Sequence, residues 1–457
     1  MTAIATKIQR IENAKNFIST FSDSPIQDHL YLFLAKSDYW STNRDATADN
    51  IVETPTGETY DISQIHNEMI AMKKVEPNNF VCAVPTINWI SGETYTAWDD
   101  KFSETVEVDG VDVYNTIYDK NFYVITTSYK VYKCLRSGSG ISFDQPSHVG
   151  VEPLQYSDGY VWHYIYTLDA ASVLTFFNNS YCPIVEKTSQ DANQENIAGG
   201  IFKIVVEDGG SGYLTAPTIT IEGNGTGAVA TATLSGNSVS EITIDLTDSI
   251  VEGGKYGLKH GTGYDYAKVI ISSASGSGAR ARAILSPPNG HGYDPISELG
   301  AYNVEIAIDI NDDEDGDFII TNDYRKLGLI KNPNEGSPET LATSTTLNCL
   351  KSMVVSGGTF VPDDIIEDQT TNAFAYVDAY DSGTNTIYYH QNDKTGYKTF
   401  GVGNIITTTV SGESGTITTL IDPEYSPFSG EIIFMEFRSA IERTSTTKEE
   451  IRIVLQF

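Results

Sequence analysis

Chemistry in a protein needs particular side chains within reach of one another, and this chain offers few such sets. Nucleophilic catalysis asks for a Ser or Cys beside a base. Seven histidines are present (His29, His66, His148, His163, His260, His291 and His390), none in a Gly-x-Ser-x-Gly elbow or next to a cysteine. They read as scattered structural or surface residues. Glycoside hydrolysis asks for two carboxylates at a set separation. With 61 Asp and Glu in the chain some pair meets by chance, so the acids select no such site. Phosphate cradles lead from a strand through a Gly-rich loop into a helix. The Gly-rich phrases here lead into strands, and no Gly-Lys-Ser/Thr follows. The four cysteines (Cys82, Cys134, Cys182 and Cys349) stand far apart and form no zinc spacing, so buried thiols are expected. The expectation is a non-enzyme without a cofactor.

Two stretches carry candidate sites. Asn311-Asp312-Asp313-Glu314-Asp315-Gly316-Asp317 places oxygens at Asn311, Asp313 and Asp315 before a glycine, the first half of a calcium-loop spacing. Its twelfth position is Asn322 rather than Glu, and no flanking helices are predicted, so an acidic, solvated turn is expected. Tyr160, Trp162, Tyr164 and Tyr166 alternate along one run. Such rings make a sugar platform or, more commonly, a core or interface face. Tyr160, Trp162 and Tyr164, with Phe434 and Phe437 near the C-terminus, are candidate interface residues.

The elements that would hold these groups are mostly strands. Ile4, Ile8, Ile11, Ala14, Ile18 and Phe21 predict an amphipathic helix over the first 21 residues. Their mixing with Lys7, Arg10 and Glu12 is unlike a signal peptide, which points to a chain that stays in the cytoplasm. Leu30, Leu32 and Leu34 alternate with Tyr31 and Phe33, predicting a strand buried on both faces. A helix is predicted over Ile62–Lys74, with Asp61 as cap and Gln64 completing a capping box. Strands are predicted over Phe80–Val84, Phe122–Thr127, Val131–Leu135, Tyr160–Leu168 and Glu450–Phe457. The fold class is mainly β, several β-sandwich-like domains with a few short helices.

Two duplications interrupt this pattern. Gly-x-Gly-Tyr occurs at Gly210, Gly261 and Gly290, and Gly210–Ser235 aligns without gaps to Gly261–Ser286. Each phrase fits a tight turn at positive φ followed by a Tyr packing back on its sheet. Downstream, Thr359-Phe360 and Ile365-Ile366 are echoed at Thr399-Phe400 and Ile405-Ile406, with Val377 and Ala379 matching Ile417 and Thr419. The reading is a body at 1–195, 291–339 and 423–457, interrupted by duplicated β modules at 196–290 and 340–422. A net charge of -32 disfavours a nucleic-acid partner, and no apolar run is long enough for a bilayer.

The body segments form an ordered set: LYLFLAKSDYWS (Leu30–Ser41), YDISQIHNEMIAMKKV (Tyr60–Val75), VCAVPTINW (Val81–Trp89), YKVYKCL (Tyr129–Leu135), DGYVWHYIYTL (Asp158–Leu168), YRKLGLIKNP (Tyr324–Pro333) and the terminal Ser429–Phe457. This order resembles the gene-eight baseplate wedge family of T4-like contractile-tailed bacteriophages. The resemblance spans roughly the first 190 residues, a block near 302–335 and the last 30 or so, and leaves both duplicated modules outside. It implies a mostly β, homodimeric structural subunit of the virion's tail baseplate. Such a subunit packs against other wedge proteins and moves with them when the tail contracts. The alternative expectation is a tail-associated carbohydrate- or receptor-binding protein that uses the inserted modules.

Overall fold

In a computed structural model the chain is mainly β, with short helices among many strands. The structure describes residues 6–23, 25, 28–36, 55–108, 111–185, 198–319, 323–336, 339–443 and 448–457. The chain forms two compact units. Unit 1 gathers Met1–Lys15, Val81–Glu305 and Val454–Phe457, and unit 2 gathers Asn16–Phe80 and Ile306–Ile453. No described helix is long and apolar enough to cross a membrane.

Unit 1 is built on a six-stranded sheet in the order Leu246–Glu252, Lys255–Leu258, Leu154–Gln155, Val161–Thr167, Lys130–Arg136, Tyr123–Ile125. Val161–Thr167 lies inside this sheet and is covered on both faces, so its rings fill the core rather than one wet side. Trp162 is wholly buried among Tyr95, Tyr132, Cys134, Tyr156 and Tyr160. Asp158, at the head of this segment, pins a neighbouring loop: its carboxylate accepts from Ser142 Oγ (2.9 Å) and from the amides of Phe143, Asp144 and Tyr160.

The first duplication is a two-fold arrangement that extends beyond its sequence signal. Thr218–Gly223 pairs antiparallel with Ala267–Ser272, matching Ile219 to Ile271 and Thr220 to Ile270. Exchanging the two repeats turns one of these pairs into the other. The outer strands obey the same exchange. Ile201–Asp208 runs along Arg280–Leu285 as Ser238–Ile244 runs along Ala230–Ser235, with Ile204↔Ala283 answering Ile242↔Ala232. Even the bulges correspond, near Lys203 and near Glu241. Gly210, Gly212, Gly261 and Gly263 have φ between 60° and 79°, which a side chain rarely adopts. Tyr213 and Tyr264 are buried. A Cβ at Gly276 would lie 2.4 Å from the Tyr213 ring, and one at Gly225 equally close to Tyr264. Each repeat therefore supplies the ring that covers the other repeat's glycine. The second repeat carries an extra hairpin, Leu246–Leu258, whose Tyr256 pairs with Gln155 and so joins the module to the unit 1 sheet.

Unit 2 centres on a five-stranded sheet in the order Thr346–Asn348, Met69–Lys74, Leu30–Ala35, Asp323–Lys331, Glu431–Glu442. Leu30–Ala35 is buried at every position, as its two-sided apolar pattern predicts. The predicted helix over Ile62–Lys74 is corrected: the helix spans Thr59–Glu68, and Met69–Lys74 is a strand. Met69, Ala71 and Met72 pair with Leu30–Ala35, and that pairing outweighs a composition that suits a helix. Asp61 lies inside the helix and accepts from the amide and hydroxyl of Thr56 instead of capping.

The second duplication closes into a six-stranded barrel, where Thr346–Asn348 and its sheet give way to strands between Lys351 and Ile421. Ile365–Asp368 pairs with Ile405–Thr408 such that Ile366↔Thr408 mirrors Asp368↔Ile406. Lys351–Ser356 and Thr386–His390 are related in the same way, with Met353↔Ile387 on the axis. Bulges fall at Asp378 and at Thr418, the equivalent position. Phe360 and Phe400 enter one core with Ile366, Ile406, Val377 and Ile417. Asp368 accepts from the amides of Thr370, Thr371 and Gly401 and from Asn404 Nδ2. Burial pushes its carboxyl up, but these donors outweigh burial and hold it at about 2.

Two substitutions test the first module. Gly225→Ala and Gly276→Ala should each destabilise unit 1 by about 1–3 kcal/mol in urea unfolding through the forced ring contact. Gly140→Ala, where a Cβ meets nothing within 4 Å, should be close to neutral. Equal effects at the three sites contradict the reciprocal packing. Excising Leu246–Leu258 and joining Asp245 directly to Lys259 should leave a cooperatively unfolding protein. Lys259 N already donates to Asp245 O at 2.7 Å, and the first repeat runs through this point without a hairpin. An insoluble product contradicts that reading.

Candidate functional site

Lys133 lies in the Lys130–Arg136 strand of unit 1, one residue from Cys134, on an otherwise apolar run. It is completely buried. An ammonium taken from water needs a counter-charge and hydrogen bonds. Both come from the segment that follows the first module. Lys133 Nζ donates to Glu298 Oε2 at 2.9 Å and to His291 Nδ1 at 3.1 Å. It also sits 4.0 Å over the Trp98 ring. Glu298 Oε1 accepts from the Gly292 amide at 2.6 Å. A group accepting on both oxygens is a carboxylate, so the pair is ionic.

The third Gly-x-Gly-Tyr phrase supplies much of this arrangement. Gly290 and Gly292 take positive φ, as in the first two copies. Here, however, His291 points inward and Tyr293 is about half exposed. Asp294 caps the short Pro295–Leu299 helix that carries Glu298, accepting from Ser297 N. His163 Nε2 donates to the His291 carbonyl at 3.0 Å. The two histidines, far apart in sequence, thus meet across the core.

The electrostatics keep this cluster fixed. Burial lowers the Lys133 ammonium, opposed by Glu298. Burial would raise Glu298, but Lys133 and His291 outweigh it and hold the carboxyl well below the usual range. Burial depresses His291 to about 4, aided by Lys133, and burial also holds His163 well below the usual imidazole range. Both imidazoles are therefore neutral near pH 7 and add no second cation beside Lys133.

Beside the cluster is a cavity of about 430 Å³. Trp98, Tyr118 and Glu298 line it on the side of the cluster. Ile8, Ile11 and Glu12 of the Lys7–Ser22 helix, with the Pro287–Asn289 turn, Tyr293 and Asp294, complete its walls. Its lining is largely apolar with a few polar groups, as small binding sites are. Among the described residues no hydroxyl or thiol is hydrogen-bonded to His163 or His291.

The residues singled out from the sequence lie elsewhere. Tyr160 and Trp162 are buried inside unit 1, stacked 5.8 Å apart, and present no ring to a partner; Tyr164 is partly buried against the same core. The expectation of an interface at Tyr160 and Trp162 is corrected accordingly: a strand in the middle of a sheet spends its aromatic surface internally. Phe434 and Phe437 are half-buried on the edge strand of the unit 2 sheet. In the acidic turn, Glu314 accepts from the Asn311 amide and pairs with Lys73 at 2.6 Å, while Asp313 is partly exposed. The Asp315 side chain and Asn322 lie outside the described residues. Among the described residues no three His, Cys, Asp or Glu come together as a metal site. All four cysteines are free and buried.

Sequence reading passed over Lys133, Glu298 and Trp98. One signal was available: Lys133 interrupts a strand that is apolar on both sides, and a buried lysine demands a partner. Nothing local names that partner. No family model and no curated protein matches the chain.

A double-mutant cycle tests the ion pair. Lys133→Met alone should cost about 3–5 kcal/mol, because it strands Glu298 without its counter-charge. Lys133→Met with Glu298→Gln should recover much of that loss. Additive losses in chemical denaturation contradict the coupling.

Proposed function

We propose that this protein is a structural subunit of the baseplate wedge of a contractile phage tail. It would act as a set of rigid β bodies that hold neighbouring subunits and shift with them on contraction. The observation that carries the reading is where the resemblance falls. Its segments supply central strands of both units: Leu30–Ala35, Met69–Lys74 and Asp323–Lys331 in unit 2, and Lys130–Arg136 and Val161–Thr167 in unit 1. The two duplicated modules pair mostly among their own strands and join that frame through Lys255–Leu258 against Leu154–Gln155 and Thr346–Asn348 against Met69–Lys74.

The physical character of the chain supports the same reading. The buried charged groups described above are bound to one another in fixed pairs. Closed and sheet-packed β bodies keep their shape while whole subunits move. Use of the modules as a glycan platform is less well supported, since the phrase tyrosines Tyr213 and Tyr264 are turned into the module. The homodimer and the contacts with other wedge proteins belong to this proposal.

Antibody raised against the purified chain should place immunogold at the tail end away from the head in intact virions. Gold on the head, or particles that carry none while the lysate contains the chain, overturns the assignment.

A further inference from the structure

We propose that the cavity beside the Lys133–Glu298 pair is a binding site for an organic cation, an alkylguanidinium or alkylammonium group such as an arginine or lysine side chain carries. The site belongs to unit 1 alone and is independent of the baseplate reading.

Three features of the cavity converge. Its shape comes first: about 430 Å³ is room for one long side chain with its flanking atoms. Its walls come second. Trp98, Tyr118 and Tyr293 bring aromatic rings to one space, and the negative ring face attracts a cation. The chain's own cations already use this property, Lys133 over Trp98 and Lys7 at 5.4 Å over Tyr118.

Charge comes third. Among the described residues the lining holds Glu12, Asp294 and Glu298 and no Lys, Arg or His. Lys15 is shared between Asp294 at 2.9 Å and Glu12 at 3.7 Å, so one ammonium serves two carboxylates. Lys133 serves Glu298, and Lys7 is neutralised by Asp119 at 3.2 Å. The cavity thus keeps one carboxylate in excess. Glu298, with its side chain 3% exposed, accepts from Lys133 and Gly292, and its oxygens retain lone pairs for further donors. A group with several N–H donors and a positive charge answers all three features. A phosphate or carboxylate ligand is repelled, and a neutral polyol gains nothing from the charge.

Calorimetric titration of the full chain with N-acetyl-arginine methylamide tests this. The isosteric N-acetyl-citrulline methylamide and maltose serve as uncharged comparators. Saturable one-to-one binding of the arginine compound is expected, with both comparators at least about tenfold weaker, a loss of 1.4 kcal/mol or more. The double variant Glu12→Gln, Tyr293→Ala should weaken the arginine compound by a similar factor. Both side chains are exposed, so the fold is retained, which a matching unfolding curve verifies. Equal binding of citrulline or maltose, an unchanged affinity in the variant, or no saturable binding of arginine overturns the proposal. A pentapeptide with arginine flanked by glycines and the small diamine-like cation agmatine separate the two sources. Tighter binding of the peptide assigns the site to a protein partner's side chain, and tighter binding of agmatine to a free small cation.

Discussion

A short β repeat cannot bury its own apolar face, and both duplicated modules are organised by that constraint. In the first, each repeat leaves a glycine that only the other repeat's tyrosine can cover, Tyr213 on Gly276 and Tyr264 on Gly225. In the second, each half contributes strands that close a barrel only when the other half is present. The two-fold arrangement follows from the burial that neither copy achieves alone. It also sets the pairing register, because a slip by one residue would turn every inward side chain outward. Matching bulges at Lys203 and Glu241, and at Asp378 and Thr418, show the constraint acting down to single residues.

Beyond the modules, polar groups in the interior fix how segments meet. Lys133 and Glu298 join a sheet strand to the turn that follows the first module. Arg282 reaches Asp99 with two hydrogen bonds, tying that module's last strand to a body loop. Apolar contacts would tolerate several relative placements of such segments. A buried charge tolerates only the placement that provides its partner, so these pairs contribute specificity at some expense in stability.

Much of the fold was legible in the sequence because strands announce themselves by alternation. Leu30–Ala35, Lys130–Arg136 and Lys448–Gln456 lie where their patterns predict. The core repeat of the first module was legible because glycines and tyrosines sit at fixed offsets. Its outer strands were not. Ile201–Asp208 and Ser238–Ile244 share little more than Ile204 with Ile242 and Val206 with Ile244, and the Leu246–Leu258 hairpin shifts the spacing between repeats. Met69–Lys74 was misread because its residues suit a helix and only its distant strand partners decide otherwise. The candidate site was nearly invisible. Lys133, His163 and Glu298 lie on separate elements, and the third phrase looked like a leftover copy, although its His291 and Gly292 are what the cluster rests on.

The path of the chain has a consequence for how the molecule is made. The chain passes between the two units four times, and unit 1 includes Val454–Phe457, where Phe457 N bonds to Tyr302 O. The barrel is sealed by pairing of Ser352 with Ile421, near its opposite ends in sequence. On a ribosome unit 1 cannot be finished before unit 2 has been made, since its Val454–Phe457 segment follows all of unit 2 in the chain. Long-range pairing of this kind is slow to form and leaves strand edges open while it waits. The barrel and the paired strands of the first module, each contiguous in the chain, are able to close without waiting for distant segments. The heaviest demand for protection from aggregation then falls on the five-stranded sheet of unit 2, whose Leu30–Ala35 strand must wait for Asp323–Lys331.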